Sequence, residues 1–373
     1  MIQQRMINAV PINPHYYYPE GEAEQADKFF AVYELELEQN CAAAIACTFK
    51  DRKVRVCRFC HKKSPFVSFN KDAHVISELL GNKTYISDFE CDDCNGKFGR
   101  YENELASYLG IVRTVQSVKG KKVPKFKSAD RTLDVVSTVA DDITNQVKFR
   151  RYDSLDKTFE FDKENNLTII HYKKATYTPL SVYKALLKMA LSVMPPQHLA
   201  NYRYALEYLI TKKYDDNFSG FAILTRYMMP LTFQFPSPTM MLFKKKNGTD
   251  NLFTHVFVLY ALNSIFQIVI PFNILDRPLF MPGSSGVDTF WCPPLFGNPD
   301  YYEVAPISSL SFDLNSTVRV QGEIESLRIP AQEGDFDISK IFNKDTGEII
   351  ERKFDASKII GIDLMMREVK NRL

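Results

Sequence analysis

Two CxxC knuckles, Cys57/Cys60 and Cys91/Cys94, constrain this chain more than any other feature. Four cysteines paired in this way can close a tetrahedral thiolate zinc site, which orders a segment too small to fold on an apolar core of its own. Four thiolates leave no open position for water, so the implied ion is structural. The insert between the knuckles is longer than in a simple zinc ribbon. It carries His74 before a short apolar run and Asn82 after it, and Asn95 follows the last knuckle cysteine directly. A segment stapled in this manner is expected to hold up catalytic side chains. The remaining cysteines, Cys41, Cys47 and Cys292, read as buried small apolar residues.

The order of these residues resembles the HNH, or ββα-metal, endonucleases, and specifically their zinc-stapled branch. The resemblance rests on Ala73-His74, Asn82 and Cys94-Asn95, followed by Lys97-Phe98-Gly99, and covers roughly residues 50–110. It implies a first strand ending at His74, a connecting loop containing Asn82, and a helix opened by Asn95. It also implies roles. His74 is the expected general base, because a neutral imidazole takes a proton from water near neutral pH. Asn82 resembles the residue that helps hold this histidine. Asn95 matches the ligand position for a catalytic divalent ion, Mg²⁺ or Mn²⁺, for which its side-chain carbonyl is a hard oxygen donor. One departure stands out. The residue before the histidine is commonly Asp, Glu or His and ligates metal, whereas Ala73 has no donor. Glu102 lies seven residues after Asn95 on the same helix face and could supply the missing oxygen. Asp72 and Glu78 are weaker candidates. His61 matches no catalytic position.

Charge agrees with a polyanionic substrate. Residues 50–131 hold eighteen Lys/Arg against ten Asp/Glu, a formal +8; with +2 for the whole chain the remainder carries −6. A basic module joined to a mildly acidic one fits a protein that binds nucleic acid through one part only. The expected phosphate contacts are Lys62, Lys63, Lys71, Lys83, Lys97 and Arg100, with Lys119, Lys121, Lys122 and Lys125 beyond the module. The expected partner is DNA, with RNA as the alternative. Seven cysteines with four in knuckles suit a reducing compartment. The N-terminus lacks a basic-then-apolar leader, and no window approaches eighteen uninterrupted apolar residues. These features predict a cytoplasmic location and no membrane contact.

The expected fold class is α+β, in four segments. Residues 1–49 form an N-terminal helical segment, with one or two helices from about Glu22 to Phe49. Residues 50–112 form the HNH module, with a hairpin of Phe66–Asn70 and Ala73–Ile76 turning at Asn70-Lys71-Asp72. Residues 113–130 form a basic linker. Residues 131–373 form a larger mixed α+β domain with a recognition or regulatory role, through which the chain would pair with a copy of itself or with a partner protein.

In this last domain, Thr158–Phe161 and Leu167–Tyr172 read as a hairpin, and Val182–Met194 as a helix with the stripe Val182, Leu186, Met189 and Val193. Another helix is expected over His198–Lys212. Strands are expected at Phe221–Met229, Met240–Lys244, Phe253–Tyr260 and Ile265–Ile270, and a short helix over Gly361–Arg372. His171, His198 and His255 are widely spaced and read as structural residues. Three functions compete on these residues: a metal-dependent DNA endonuclease, a nucleic-acid-binding module that has lost catalysis, which Ala73 keeps open, and an RNA-directed nuclease. A bacterial restriction or anti-phage role is an analogy with standalone chains of this kind.

Overall fold

The computed structural model describes residues 9–13, 16–43, 55–118, 124–140, 144–151, 158–212, 220–231, 233–249, 251–280, 287–297, 308–329, 336–343 and 359–366. Cys47, Lys119, Lys121 and Lys122 lie outside them. Along the chain, β1 (Ala9–Asn13) and β2 (Tyr16–Pro19) precede α1 (Ala23–Val32) and β3 (Tyr33–Asn40). Then come β4 (Ala73–His74), β5 (Ile86–Ser87), α2 (Asp92–Leu109) and α3 (Val112–Val115). Five strands follow: β6 (Lys125–Lys127), β7 (Leu133–Ala140), β8 (Thr144–Arg151), β9 (Phe159–Asp162) and β10 (Leu167–Lys173). Three helices, α4 (Pro179–Val193), α5 (Pro196–Leu199) and α6 (Arg203–Ile210), lead into β11 (Ile223–Met228), β12 (Thr239–Lys245), β13 (His255–Ala261) and β14 (Ser264–Val269). The last strands are β15 (Ser308–Asp313), β16 (Ile324–Ile329), β17 (Phe336–Asn343) and β18 (Ile359–Met366). The fold is therefore α+β with antiparallel sheets.

The chain divides into two compact units, residues 1–103 with 179–318 and residues 104–178 with 319–373. The first is built on a six-stranded antiparallel sheet of order β15-β11-β14-β13-β12-β3. Strands β13 and β14 are buried along their whole length, which explains their nearly unbroken apolar sequence. On one face, Phe29 of α1 stacks on Tyr33 at 5.0 Å and meets Phe243 edge-on at 5.0 Å, within a core that includes Met241, Val256, Val258 and Tyr260. Helix α4 packs nearby through a hydrogen bond from the Tyr183 hydroxyl to the Val269 carbonyl, 2.9 Å long.

Helix α4 departs from the one-sided stripe expected of it. It is buried all round, including Lys184 and Lys188. A helix apolar on every side is one enclosed on every side, and each lysine has its own compensation. Lys184 lies 4.2 Å over the Tyr208 ring, and Lys188 forms an ion pair with Glu90. The N-terminal helix is also shorter than expected. It stops at Val32 and the chain continues directly as β3, where Tyr-Glu-Leu-Glu-Leu-Glu alternates with the period of a strand that pairs with β12.

The second unit holds the expected β9–β10 hairpin, which β16 extends into a three-stranded sheet, and a five-stranded sheet of order β17-β18-β8-β7-β6. Over residues 361–366 the helix expected near the C-terminus is instead strand β18, paired on both sides by β17 and β8; residues 367–372 of that expectation lie outside the described residues. Tertiary pairing here overrides a short helical pattern. Gly110 follows α2 with φ +61°, and a Cβ there would lie 2.8 Å from the Tyr172 hydroxyl. Among the described residues, no helix is long and apolar enough to cross a membrane.

Candidate functional site

The four knuckle cysteines come together. Their sulfurs all lie within 4.8 Å of one another, and Cys60 and Cys91 approach to 3.7 Å. Zinc–thiolate bonds of about 2.3 Å at tetrahedral angles place neighbouring sulfurs roughly 3.8 Å apart. The cluster therefore fits a closed tetrathiolate site without rearrangement. Sulfur electrostatics point the same way. The Cys94 thiol and surrounding backbone N–H groups push the Cys57 thiol down to about 4, while burial drives Cys91 up to about 11. Hydrogen bonding to Cys57 drives Cys94 upward. The Cys57 thiolate thus forms readily, while Cys91 and Cys94 resist until a cation joins them.

The staple is fastened at several points. The Cys57 amide donates to the Lys62 carbonyl and the His61 amide to the Cys57 carbonyl, closing the first knuckle at 2.8 and 2.9 Å. Arg58, beside it, donates through Nη1 to the carbonyls of Leu191 and Ser192 at 3.0 and 2.6 Å, satisfying the end of α4, and stacks 3.6 Å over Phe89. Phe59 meets Phe98 of α2 edge-on at 4.7 Å.

The second knuckle runs into α2, whose first residue, Asp92, accepts from the Ser68 hydroxyl and from the amides of Asn70 and Lys71. Burial works against the Asp92 charge, but these donors hold its carboxyl below the ordinary range. They also explain why the expected hairpin at residues 66–76 does not form. The Asn70 and Lys71 amides of the expected turn are committed to Asp92, and Ala73-His74 pairs instead with Ile86-Ser87.

His74 therefore ends a two-residue strand held by β5. Its Nε2 faces a carboxylate oxygen of Glu78 at 4.0 Å, and Lys83 reaches the other oxygen at 3.7 Å. Beneath it, Lys188 donates to the His74 carbonyl at 2.5 Å and pairs with Glu90 at 3.1 Å. Lys188 and Glu90 are both buried. Burial raises the Glu90 carboxyl, with the Lys188 charge acting against that rise.

Asn82 is fully buried, and its partners belong to the loop. Its amide donates to the Ile76 and Tyr85 carbonyls at 2.7 and 2.9 Å, and its oxygen accepts from the Tyr85 amide at 2.9 Å. It ties the β4–β5 connection closed. Asn95 lies in the first turn of α2, partly exposed, with its amide donating to the Cys91 carbonyl at 2.9 Å. Glu102, further along the same helix, accepts from the Ser77 hydroxyl at 2.7 Å, next to Glu78. Ala73 is buried, its side chain given over to packing.

Of the expected phosphate contacts, Lys62, Lys63, Lys71, Lys83 and Arg100 are exposed; Lys97 donates to the Ile210 carbonyl at 2.6 Å. Sequence reasoning missed Lys188, Glu90 and Arg58. The signal available was two lysines spaced i, i+4 inside an otherwise apolar helix. Comparison with curated proteins and with solved structures finds no match. A family model described as HNH endonuclease matches residues 57–106. That segment is an HNH endonuclease module, and its four-cysteine cluster matches the zinc-stapled branch of the family.

Proposed function

We propose that this chain is a metal-dependent endonuclease that hydrolyses phosphodiester bonds in DNA, with His74 as the general base. The observation that carries the reading is the placement of His74. It ends a strand whose carbonyl is gripped by Lys188, and its Nε2 lies 4.0 Å from Glu78. The imidazole takes a proton from the attacking water, and the nearby carboxylate favours the imidazolium that results. Asn82 keeps the loop in register, while the cysteine staple and Asp92 hold α2 against it.

A divalent ion of the Mg²⁺ or Mn²⁺ kind would be held by the Asn95 side-chain carbonyl with Glu102 or Glu78. It supplies Lewis-acid stabilisation of the phosphate and leaving oxygen when bound. The tetrathiolate cluster stays structural. Exposed Lys62, Lys63, Lys71, Lys83 and Arg100 hold phosphates without reading sequence. Lys121 and Lys122, outside the described residues, continue the run of basic residues in sequence.

Plasmid nicking by wild type and His74→Ala, with Mg²⁺ or Mn²⁺, tests the reading. Equal cleavage by the two proteins refutes it. Binding without cleavage under every metal favours the second reading, a zinc-stapled binding module, for which buried Ala73 speaks. Parallel single-stranded RNA substrates test the remaining alternative. We place the activity in bacterial defence by analogy of layout, in a cytoplasmic setting. The residues beyond the module would supply recognition, self-association or partner contact. Phage plating on cells carrying wild type or His74→Ala tests the defence role.

A further inference from the structure

We propose that Glu36, His198 and His255 form a second metal site, separate from the module, which takes a divalent transition ion of the zinc class through one carboxylate and two imidazoles. The three ligating atoms lie within 4.8 Å of one another. His198 Nε2 is 2.5 Å from one Glu36 oxygen and His255 Nε2 is 3.0 Å from the other, so both rings aim the same nitrogen at one carboxylate. Metal–nitrogen and metal–oxygen bonds of about 2.0–2.1 Å would space such ligands roughly 3.4 Å apart. To admit the ion the His198–Glu36 separation must open by about 0.9 Å and the His255–Glu36 separation by about 0.4 Å, and His198, which moves further, sits on the four-residue helix α5.

Two further observations single out this cluster. The first is in the backbone. Along β3, Leu35 pairs with Phe243 and Leu37 with Leu242, which leaves Glu36 as the extra residue of a β-bulge. Bulges re-aim side chains, and this one interrupts the alternation of an otherwise regular strand at the residue whose carboxylate meets both histidines. The second is around His255. Its Nδ1 lies 2.7 Å from the hydroxyl of Tyr202, and both residues are buried. A partner on the second ring nitrogen orients a ligating histidine and fixes its tautomer. Glu36 and His198 remain 17% and 15% exposed, so the cluster opens on one side. Three protein ligands then leave a fourth position for water or an incoming group. Imidazole with carboxylate suits zinc and its neighbours over Mg²⁺ or Ca²⁺.

The competing account is a hydrogen-bonded clasp that fastens α5 to the sheet edge without metal. Metal stoichiometry decides between them. The full chain is depleted of metal under reducing conditions, reloaded with Co²⁺ or Zn²⁺, and dialysed before elemental analysis. Cobalt at the cysteine cluster gives sulfur-to-metal charge-transfer absorption, which the nitrogen–oxygen site lacks; that band reports that each variant is folded. Wild type and His74→Ala should each retain two ions per chain. Glu36→Gln and His198→Asn should retain one, with the charge-transfer band intact, and Tyr202→Phe should hold its second ion roughly 10–100-fold more weakly. One ion in wild type overturns the proposal. So does a second ion that survives in His198→Asn, the variant least able to disturb the sheet, or one that disappears in His74→Ala.

Discussion

His74, Lys188 and Glu90 divide the work at the residue scale, and the division can be measured. On the proposed mechanism His74→Ala removes the proton acceptor, so cleavage should fall at least about a hundredfold while zinc content stays put. Lys188→Met acts in the opposite way. It leaves Glu90 charged and buried without its partner, which typically costs about 3–5 kcal/mol, so a denaturation midpoint should drop sharply. Adding Glu90→Gln should recover much of that loss, because the uncompensated charge is then gone. If Lys188→Met alone proves neutral, the ion pair is not what sets the floor under His74.

At the scale of elements, the knuckles and α2 behave as one cooperative piece. Cys57→Ser or Cys94→Ser should unfold the module and lower bound zinc, since metal binding and folding are one event in a segment of this size. Normal zinc stoichiometry with normal activity in either variant would show that the cysteines are not the ligands. This piece was the most legible part of the sequence, because the spacing of the knuckles carries its meaning locally. The hairpin at residues 66–76 was misread because Asp92, distant in sequence, captures its amides. The change from helix to strand at Tyr33 and the strand near the C-terminus were equally hidden, for each depends on a partner strand far along the chain. Glu36 was invisible for the same reason. One glutamate among alternating glutamates says nothing until the bulge turns it toward two histidines.

At the scale of the whole molecule, the proposed function rests on two kinds of ion with different chemistry, a structural zinc and a catalytic divalent ion. The tetrathiolate cluster should survive mild chelation, since four thiolates hold zinc tightly and exchange slowly. The catalytic ion should not, because Asn95 and a carboxylate offer few donors and leave most positions to water. Cleavage should therefore stop in mild chelator with the cysteine-bound zinc retained and return with added Mg²⁺ or Mn²⁺. Asn95→Ala should raise the Mn²⁺ concentration needed for half-maximal cleavage, with excess Mn²⁺ restoring part of the rate. Glu102→Ala and Glu78→Ala then separate the two carboxylates. Glu102 is engaged with Ser77 while Glu78 faces His74, so the variant that shifts the metal requirement identifies the ligand. The one that slows cleavage at saturating metal identifies the partner of the imidazolium. Undiminished nicking in strong chelator, with zinc retained, would mean that no second ion takes part in the reaction and that His74 works without it.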